Sequence, residues 1–266
     1  MGRARGACVW GRQTDGFIVS SRAAANGARA LPPAFRAAAA MQTRARRVTF
    51  AGGTGRSVLA AASDALLPFF STREAALALR LVCRELTAAV ARHGWDDRKT
   101  VITGSIAAWR ASFPRALTAS VSMWANRPGG HRNVPVVDAD FAHFAGLRLL
   151  DMDSCEAVTD AAFAHLKGIR TLLMVGCGQA GITDAAFAHL GGIAALNICR
   201  CNQVGITDAA FAHLKGIRML DMRGCDQATI TGSAFRHLAG AERVNMHGCT
   251  GAARDAARAA GLRVFD

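Results

Sequence analysis

A segment of about two dozen residues recurs five times in the second half of the chain. Aligned on the triplet Phe-Ala-His, which is Phe-Arg-His in the last copy, the segments are 22, 24, 24 and 24 residues apart. In every copy a cysteine follows the Phe after fourteen residues. One such segment is too short to bury its own apolar face, so neighbouring copies must stack to build a continuous core. The Phe positions are Phe141, Phe163, Phe187, Phe211 and Phe235.

Within the copies the apolar residues occupy fixed positions, written in general as L-x-x-[IL]-x-x-L-x-[MI]-x-x-C. Leu220 and Met222 alternate with charged residues, as in a strand that has one buried face. Thr207 is a good N-cap for a short helix that begins near Asp208. The pattern resembles the leucine-rich repeat, with cysteine at a position where Asn or Cys is usual. We therefore predict an α/β leucine-rich-repeat solenoid with a parallel inner sheet and short outer helices.

The repeats are predicted to span residues 135–266, and both edges of their sheet need covering. At the C-terminal end, Gly261–Asp266 matches the strand entry of the fourth copy. It is interpreted as a last, capping strand that follows a helix near Ala252–Ala260. At the other end, Ala116–Trp124 is interpreted as a degenerate first strand. It belongs to residues 101–134, the predicted connector and N-terminal cap.

The repeated cysteine falls where the chain leaves the strand and turns inward. A free thiol suits this place because it fills a small space and can hydrogen-bond to neighbouring backbone. Disulfides and a metal site are the alternatives, but stacked thiols point in parallel, and a ladder offers a line rather than four convergent ligands. We predict reduced structural thiols without metal or cofactor, and hence an intracellular, reducing compartment such as cytosol or nucleus. The ladder consists of Cys155, Cys177, Cys201, Cys225 and Cys249.

The inner, concave face of the predicted sheet carries the positions that differ between copies, whereas the helical segments scarcely change. Strand alternation places these variable side chains outward. They are predicted to bind a target protein through a gradient from acidic, through apolar, to basic residues. Cys199 alternates with Ile198 and should face outward, which makes it the first candidate among the thiols for reactivity. An incidental surface cysteine is the alternative, and it is favoured. The predicted target-binding residues are Asp151, Asp153, Leu173, Val175, Asn197, Cys199, Asp221, Arg223, Arg243, Asn245 and His247.

A second ladder, of histidines, is expected on the outer helices. It could bind metal or sense pH, but each residue sits beside the apolar core positions on the outer layer. We interpret it as a set of helix-surface residues copied by duplication of the repeat. Its members are His143, His165, His189, His213 and His237.

Residues 51–100 are predicted to form a small helical domain in which Ser71–Glu74 makes a capping box. The stretch Leu66–Val90, with Trp95 after it, resembles the F-box, a three-helix motif that docks on a Skp-type adaptor of a cullin–RING ubiquitin ligase. A helical cap that merely covers the first repeat is the alternative. The resemblance implies adaptor docking, or the core beneath the docking surface, at Leu66, Leu67, Phe70, Leu81 and Val82.

The net charge of +13 is distributed unevenly. Residues 1–50 hold nine Arg and one Asp, whereas residues 134–266 hold twelve basic and thirteen acidic residues. A surface that tracks nucleic-acid phosphates should be basic, so the repeats are not expected to bind nucleic acid. The first fifty residues fit a basic disordered arm, an organelle transit segment within 1–40, or an extended gene start before Met41.

No catalytic constellation can be placed from the spacing of Ser, His, Asp and Cys, so the chain is predicted not to be an enzyme. The interpretation that the F-box resemblance favours is a substrate receptor of a Skp–cullin–F-box ubiquitin ligase. A leucine-rich-repeat scaffold unconnected to ubiquitin is the first alternative. A basic nucleic-acid or membrane-surface binder is the second, and no membrane span is expected.

Overall fold

A computed structural model of the chain describes residues 66–75, 79, 84–98, 100–123 and 135–265. The predicted basic arm and two of the F-box-like positions, Leu81 and Val82, lie outside these residues. The chain divides into two compact units, with the boundary after Trp95 and with Ala111–Arg115 belonging to the first unit. The repeats belong to the second unit.

The first unit is helical in its described part. A 3-10 helix covers Leu67–Phe69, α1 covers Thr72–Glu74 and α2 covers Arg84–Arg92. The predicted capping box is confirmed, because the backbone N–H of Glu74 donates to Ser71 Oγ at 3.2 Å and that of Ser71 donates to Glu74 Oε2 at 2.9 Å.

Trp95 lies in the core of the first unit. It is fully buried, and its indole N–H donates to the carbonyl oxygen of Val90 at 2.9 Å. Its ring meets that of Phe113 edge to face, with 5.5 Å between centroids. A buried indole with its donor satisfied anchors the end of α2.

The described part of the second unit contains one sheet of seven parallel strands that follow one another in chain order. Adjacent strands pair so that Leu150, Leu172 and Leu196 stand side by side, followed by Leu220 and Val244. This register is the one predicted from the alternation. The strands are β1 (Thr118–Ser120), β2 (Leu149–Asp151), β3 (Thr171–Leu173), β4 (Ala195–Asn197), β5 (Met219–Asp221), β6 (Arg243–Asn245) and β7 (Val264–Phe265).

Each strand from β2 to β5 leads into a four-residue helix and then a 3-10 turn on the outer layer. Thr207 caps its helix as predicted, since its side chain accepts from the backbone N–H of Ala209 at 3.2 Å. The helices after β2 to β5 are α4 (Asp160–Phe163), α5 (Asp184–Phe187), α6 (Asp208–Phe211) and α7 (Gly232–Phe235). Two longer helices stand outside this series: α3 (Ile106–Ser112) precedes β1 in the chain, and α8 (Gly251–Ala259) follows β6. The 3-10 segments are Asp138–Phe144, Ala164–Leu166, Ala188–Leu190, Ala212–Leu214 and Arg236–Leu238.

Both ends of the sheet match the sequence interpretation. β1 lies within the stretch interpreted as a degenerate first strand. β7 follows α8 and pairs with β6, as predicted for a capping strand. Among the described helices, none is both long and apolar enough to cross a membrane.

The core of the second unit lies between the sheet and the outer layer. It contains the central apolar residue of β2 to β6, a leucine in all but β6, and the repeated Phe of the outer segments, all buried. Because every repeat adds one strand and one outer segment to the same stack, the unit is an α/β leucine-rich-repeat solenoid, as the sequence predicts.

Candidate functional site

The candidate site is the inner sheet face, meaning the side chains of β3 to β6, and of the residues just after each strand, that alternate with the buried leucines. Three rows of residues run across it, and in each row the chemistry changes from repeat to repeat. Met219 is 49% exposed, and the face is open around it. The rows are Thr171, Ala195, Met219 and Arg243; Leu173, Asn197, Asp221 and Asn245; and Val175, Cys199, Arg223 and His247.

The acidic end predicted for this face is not on the surface. Asp151 is 1% exposed and Asp153 is 7% exposed. Asp151 accepts from the hydroxyl of Ser120 on β1 at 2.9 Å, and Asp153 accepts from the backbone N–H of Val175 at 2.9 Å. The prediction that these carboxylates are exposed is wrong, because both are held by neighbouring strands inside the structure.

The predicted charge gradient is replaced by a different pattern. Arg223 forms an ion pair with Asp221, with 2.8 Å between Nη2 and Oδ2, so the two charges largely neutralise each other. The guanidinium of Arg243 lies 4.7 Å from the centre of the Phe265 ring, a cation–π contact. At the β3 end of the face the surface is apolar rather than acidic, with Leu173 and Val175 half-buried.

Cys199 differs from its prediction as well. Its side chain is 9% exposed. Burial raises the pKa of the thiol, and the nearby carboxylate of Asp221 adds to that rise, while Arg223 and Arg200 oppose it. A thiol with a raised pKa stays protonated near neutral pH and reacts slowly. The expectation that Cys199 faces outward into solvent is therefore wrong. It is nevertheless the most exposed of the six described cysteines, so its rank among the thiols stays a prediction.

Arg200 is an exposed cation next to Cys199 that the sequence interpretation did not single out. Its φ is 59°, in the left-handed region that favours glycine. The equivalent residues Gly176, Gly224 and Gly248 also have positive φ. An exposed arginine thus occupies a position where most repeats keep glycine. In the first repeat Ser154 has the same φ of 59°, so a positive φ is a feature of this turn in all five repeats. The substitution of Gly by Arg just before the repeated cysteine is visible in the sequence.

The cysteine ladder donates hydrogen bonds from each repeat to the one before it. Cys177 donates to the carbonyl of Met152 at 3.2 Å, Cys201 to Met174 at 3.0 Å and Cys225 to Ile198 at 3.0 Å. Cys249 donates to Met222 at 3.1 Å, and Cys155 has a longer contact with Val121, at 3.7 Å. The predicted bonding of the thiols to neighbouring backbone is confirmed.

Burial raises the pKa of four thiols of this ladder. For Cys177 and Cys225 the pKa rises to about 12, and for Cys201 and Cys249 it is also raised. The six cysteines of the described residues are all free, and no group of three or more potential metal ligands occurs in that part of the chain. A protonated, buried thiol that donates to a carbonyl is a structural group.

A ladder of Gln side chains runs beside the thiols. Gln179 Nε2 donates to the carbonyl of Cys155 at 2.8 Å, Gln203 to that of Cys177 at 3.0 Å and Gln227 to that of Cys201 at 3.2 Å. These bonds satisfy carbonyls where the chain turns away from the strand. In the sequence, a Gln follows three of the cysteines after two residues. This repetition was the signal that could have predicted these hydrogen bonds.

The F-box-like positions that the structure describes take different environments. Leu67 is buried, and Leu66 and Phe70 are half-buried. Between them, Phe69 is 83% exposed, although the sequence interpretation did not single it out. Three histidines of the outer ladder, His165, His189 and His213, are exposed as predicted.

No protein-family model matches the chain, and no curated protein matches it in sequence. Among solved structures it is similar to a chain of the Toll–Spatzle complex from Drosophila, with 14% identity, a TM-score of 0.41, and coverage of 63% of this chain and 20% of that one. A chain of the TLR13–ssRNA13 complex gives 16% identity, a TM-score of 0.42, and coverage of 63% and 21%.

A chain of the yeast Rad7 and Elc1 complex gives 16% identity, a TM-score of 0.32, and coverage of 49% of this chain and 44% of that one. The chain therefore spans about a fifth of the length of the Toll and TLR13 chains it matches. Its own strand order and register define it as a leucine-rich-repeat solenoid.

Proposed function

We propose that the chain is a non-catalytic protein-recognition module whose inner sheet face binds a target protein. The observation that carries this proposal is the distribution of variation. The segment Asp-Ala-Ala-Phe-Ala-His-Leu occurs unchanged at 160–166, 184–190 and 208–214. The inner rows hold a different side chain in almost every repeat. A constant outer layer serves the scaffold, and a variable, accessible face can specify one partner.

The chemistry of the inner sheet face suits a partner with an apolar anchor and acidic flanks. Met219 and the half-buried Leu173 and Val175 supply apolar surface. Arg200 and Arg243 are exposed cations beside it. Apolar centres rimmed by polar and charged groups are typical of protein interfaces, and complementary charge selects the partner.

We infer further that the first unit docks on a Skp-type adaptor, which makes the chain a substrate receptor of a cullin–RING ubiquitin ligase. The support is the F-box resemblance of Leu66–Val90 together with an exposed aromatic residue in the same segment. Phe69 stands at the end of its 3-10 helix with almost all of its side chain in solvent. A large apolar side chain in such a place is a candidate interface anchor.

The alternative is a scaffold without a link to ubiquitin, and the burial of Leu67 and Trp95 is equally compatible with it. Both residues belong to the F-box-like pattern, and both are buried in the core of the first unit, where an adaptor cannot contact them. A small domain would need that core whether or not it binds an adaptor.

Adaptor binding separates the two functions. The full chain is titrated with a purified Skp-type adaptor by calorimetry, and Phe69→Ser is compared with Val204→Ser, which removes an apolar side chain that is 75% exposed in the repeats. We expect Phe69→Ser to weaken adaptor binding by about tenfold or more and Val204→Ser to leave it unchanged, with both melting temperatures near that of the parent. If the folded parent chain binds no adaptor, the receptor proposal is contradicted and the scaffold alternative is supported.

A further inference from the structure

A basic groove lies on the edge of the sheet where the first two repeats enter their strands. It has a volume of about 470 Å³ and is lined by Gly146, Leu147, Arg148, Lys167, Gly168 and Arg170. Three of the six lining residues are cations and none is acidic. The two glycines have φ of 79° and 85°, so bare backbone turns form part of the wall.

The side chains of this groove are partly positioned already. Arg170 donates from Nη1 to the carbonyl of Gly192 at 3.1 Å, which leaves its other N–H groups for a ligand. Arg110 donates to the carbonyl of Ala145 beside the groove. Within the described part of the chain, Arg148 and Lys167 form no ion pair.

The other repeats provide an internal comparison. In the third repeat the residues equivalent to Lys167 and Arg170 are Gly191 and Ala194, which carry no charge. In the fourth repeat they are Lys215 and Arg218, but Arg218 donates to Glu242 at 2.6 Å. Among the equivalent positions of the described repeats, only those that line this groove therefore combine three cations without a carboxylate that neutralises one of them.

We propose that this groove binds a phosphate monoester, presented as phosphoserine or phosphothreonine by a protein partner. Such a group carries close to two negative charges and three acceptor oxygens. Two guanidinium groups and an ammonium group from adjacent repeats line the groove and match that charge and those acceptors.

A nucleic acid fits the groove less well. It would need cations that continue along several successive phosphates, whereas the cationic row is interrupted at Gly191 and Ala194. The groove also lies on the strand-entry edge and not on the inner sheet face. The proposal is thus independent of the adaptor and of the target-binding role of that face.

The test uses the full ¹⁵N-labelled chain titrated with N-acetyl-phosphoserine amide at constant ionic strength. We expect saturable shifts of the Gly146 and Gly168 amides with a dissociation constant of roughly millimolar, as befits one small charged group. The double variant Arg148→Gln/Lys167→Gln should weaken binding by about tenfold. Lys215→Gln, the matched change in the fourth repeat, should leave it unchanged. Melting temperatures report that each variant is folded.

The pH dependence supplies a second readout. Binding of the phosphomonoester should weaken as pH falls below about 6, since the phosphate then loses one charge, while binding of sulfate should not. Absence of saturable shifts, or equal losses in Lys215→Gln and the double variant, would overturn the proposal. So would a single-stranded oligonucleotide that binds the groove far more tightly, with a steep salt dependence.

Discussion

Asp184 ties its own repeat to the next one through Thr207. Its Oδ1 accepts from the backbone N–H of Thr207 at 2.7 Å, and its Oδ2 accepts from the Thr207 hydroxyl at 2.6 Å. The same pair of bonds joins Asp138 to Thr159, Asp160 to Thr183 and Asp208 to Thr231. The carboxylate ladder therefore fastens the outer layer, as the thiol ladder fastens the inner turns.

Removal of one carboxylate from this ladder should lower stability. Asp184→Ala deletes two charge-assisted hydrogen bonds and leaves Thr207 without its partner, so we expect the free energy of unfolding to fall by about 2 kcal/mol. Asp255→Ala is the matched control, because that carboxylate is exposed and only pairs with Arg258 on α8. Urea titration of both variants checks this, and equal losses would mean that the ladder does not stabilise the stack.

The thiol ladder should accept a neutral donor and reject a charge. In Cys201→Asp a carboxylate would face the carbonyl of Met174 inside the core, where the thiol now donates. The cost of a buried unpaired charge should be about 3 kcal/mol or more. Cys201→Asn keeps a donor and should be better tolerated. Calorimetric melting compares the two, and a Cys201→Asp melting temperature equal to that of the parent would contradict the burial of this position.

The same thiols should make the protein sensitive to alkali. Burial raises the pKa of Cys177 to about 12, from an ordinary value of 9.0, so the unfolded chain loses this proton at a lower pH than the folded chain. Stability should therefore be complete below pH 9 and fall as pH rises between the two values, by about 1.4 kcal/mol per pH unit for this thiol. Cys177→Ser keeps a donor that does not titrate there. Its unfolding free energy should fall less steeply over this range, and identical slopes would show that Cys177 ionises normally.

Arg200 should lower the stability of the fold and strengthen target binding. Arg200→Gly relieves the left-handed backbone, a gain of about 1 kcal/mol that the greater freedom of glycine in the unfolded chain partly offsets. Arg200→Ala keeps the strained backbone and loses the guanidinium. We expect both variants to weaken target binding and only Arg200→Gly to melt at or above the parent temperature. Unchanged target binding in both variants would remove Arg200 from the site.

The sequence sufficed for features that repeat or that depend on near neighbours. The alternation around Leu220 predicted the register, Thr207 predicted the helix start, and the spacing from Phe to Cys predicted the stack. The similarity of Gly261–Asp266 to a strand entry predicted β7. These features follow from periodicities that any stacked repeat must obey.

What the sequence did not predict depends on contacts between repeats. Asp153 is buried and accepts a hydrogen bond from Val175 in the next repeat, so a charge reversal there should lower stability as well as affect binding. The Asp–Thr bonds likewise join residues that are 21 or 23 positions apart. The repeated Thr-Asp pair in the sequence indicates these bonds, but it was interpreted only as the N-terminal cap of each helix. The predicted domain boundaries, the adaptor-docking residues and the role of the inner sheet face stay predictions.

Site-specific photo-cross-linking tests the central claim, that the inner sheet face binds the target, most directly. A benzophenone amino acid replaces either Met219 on that face or His213 on the outer layer of the same repeat, in the full chain inside cells of its source. We predict a discrete protein adduct from position 219, lost when Arg223→Glu is added, and no specific adduct from position 213. An adduct from position 213 with none from position 219 would contradict the account.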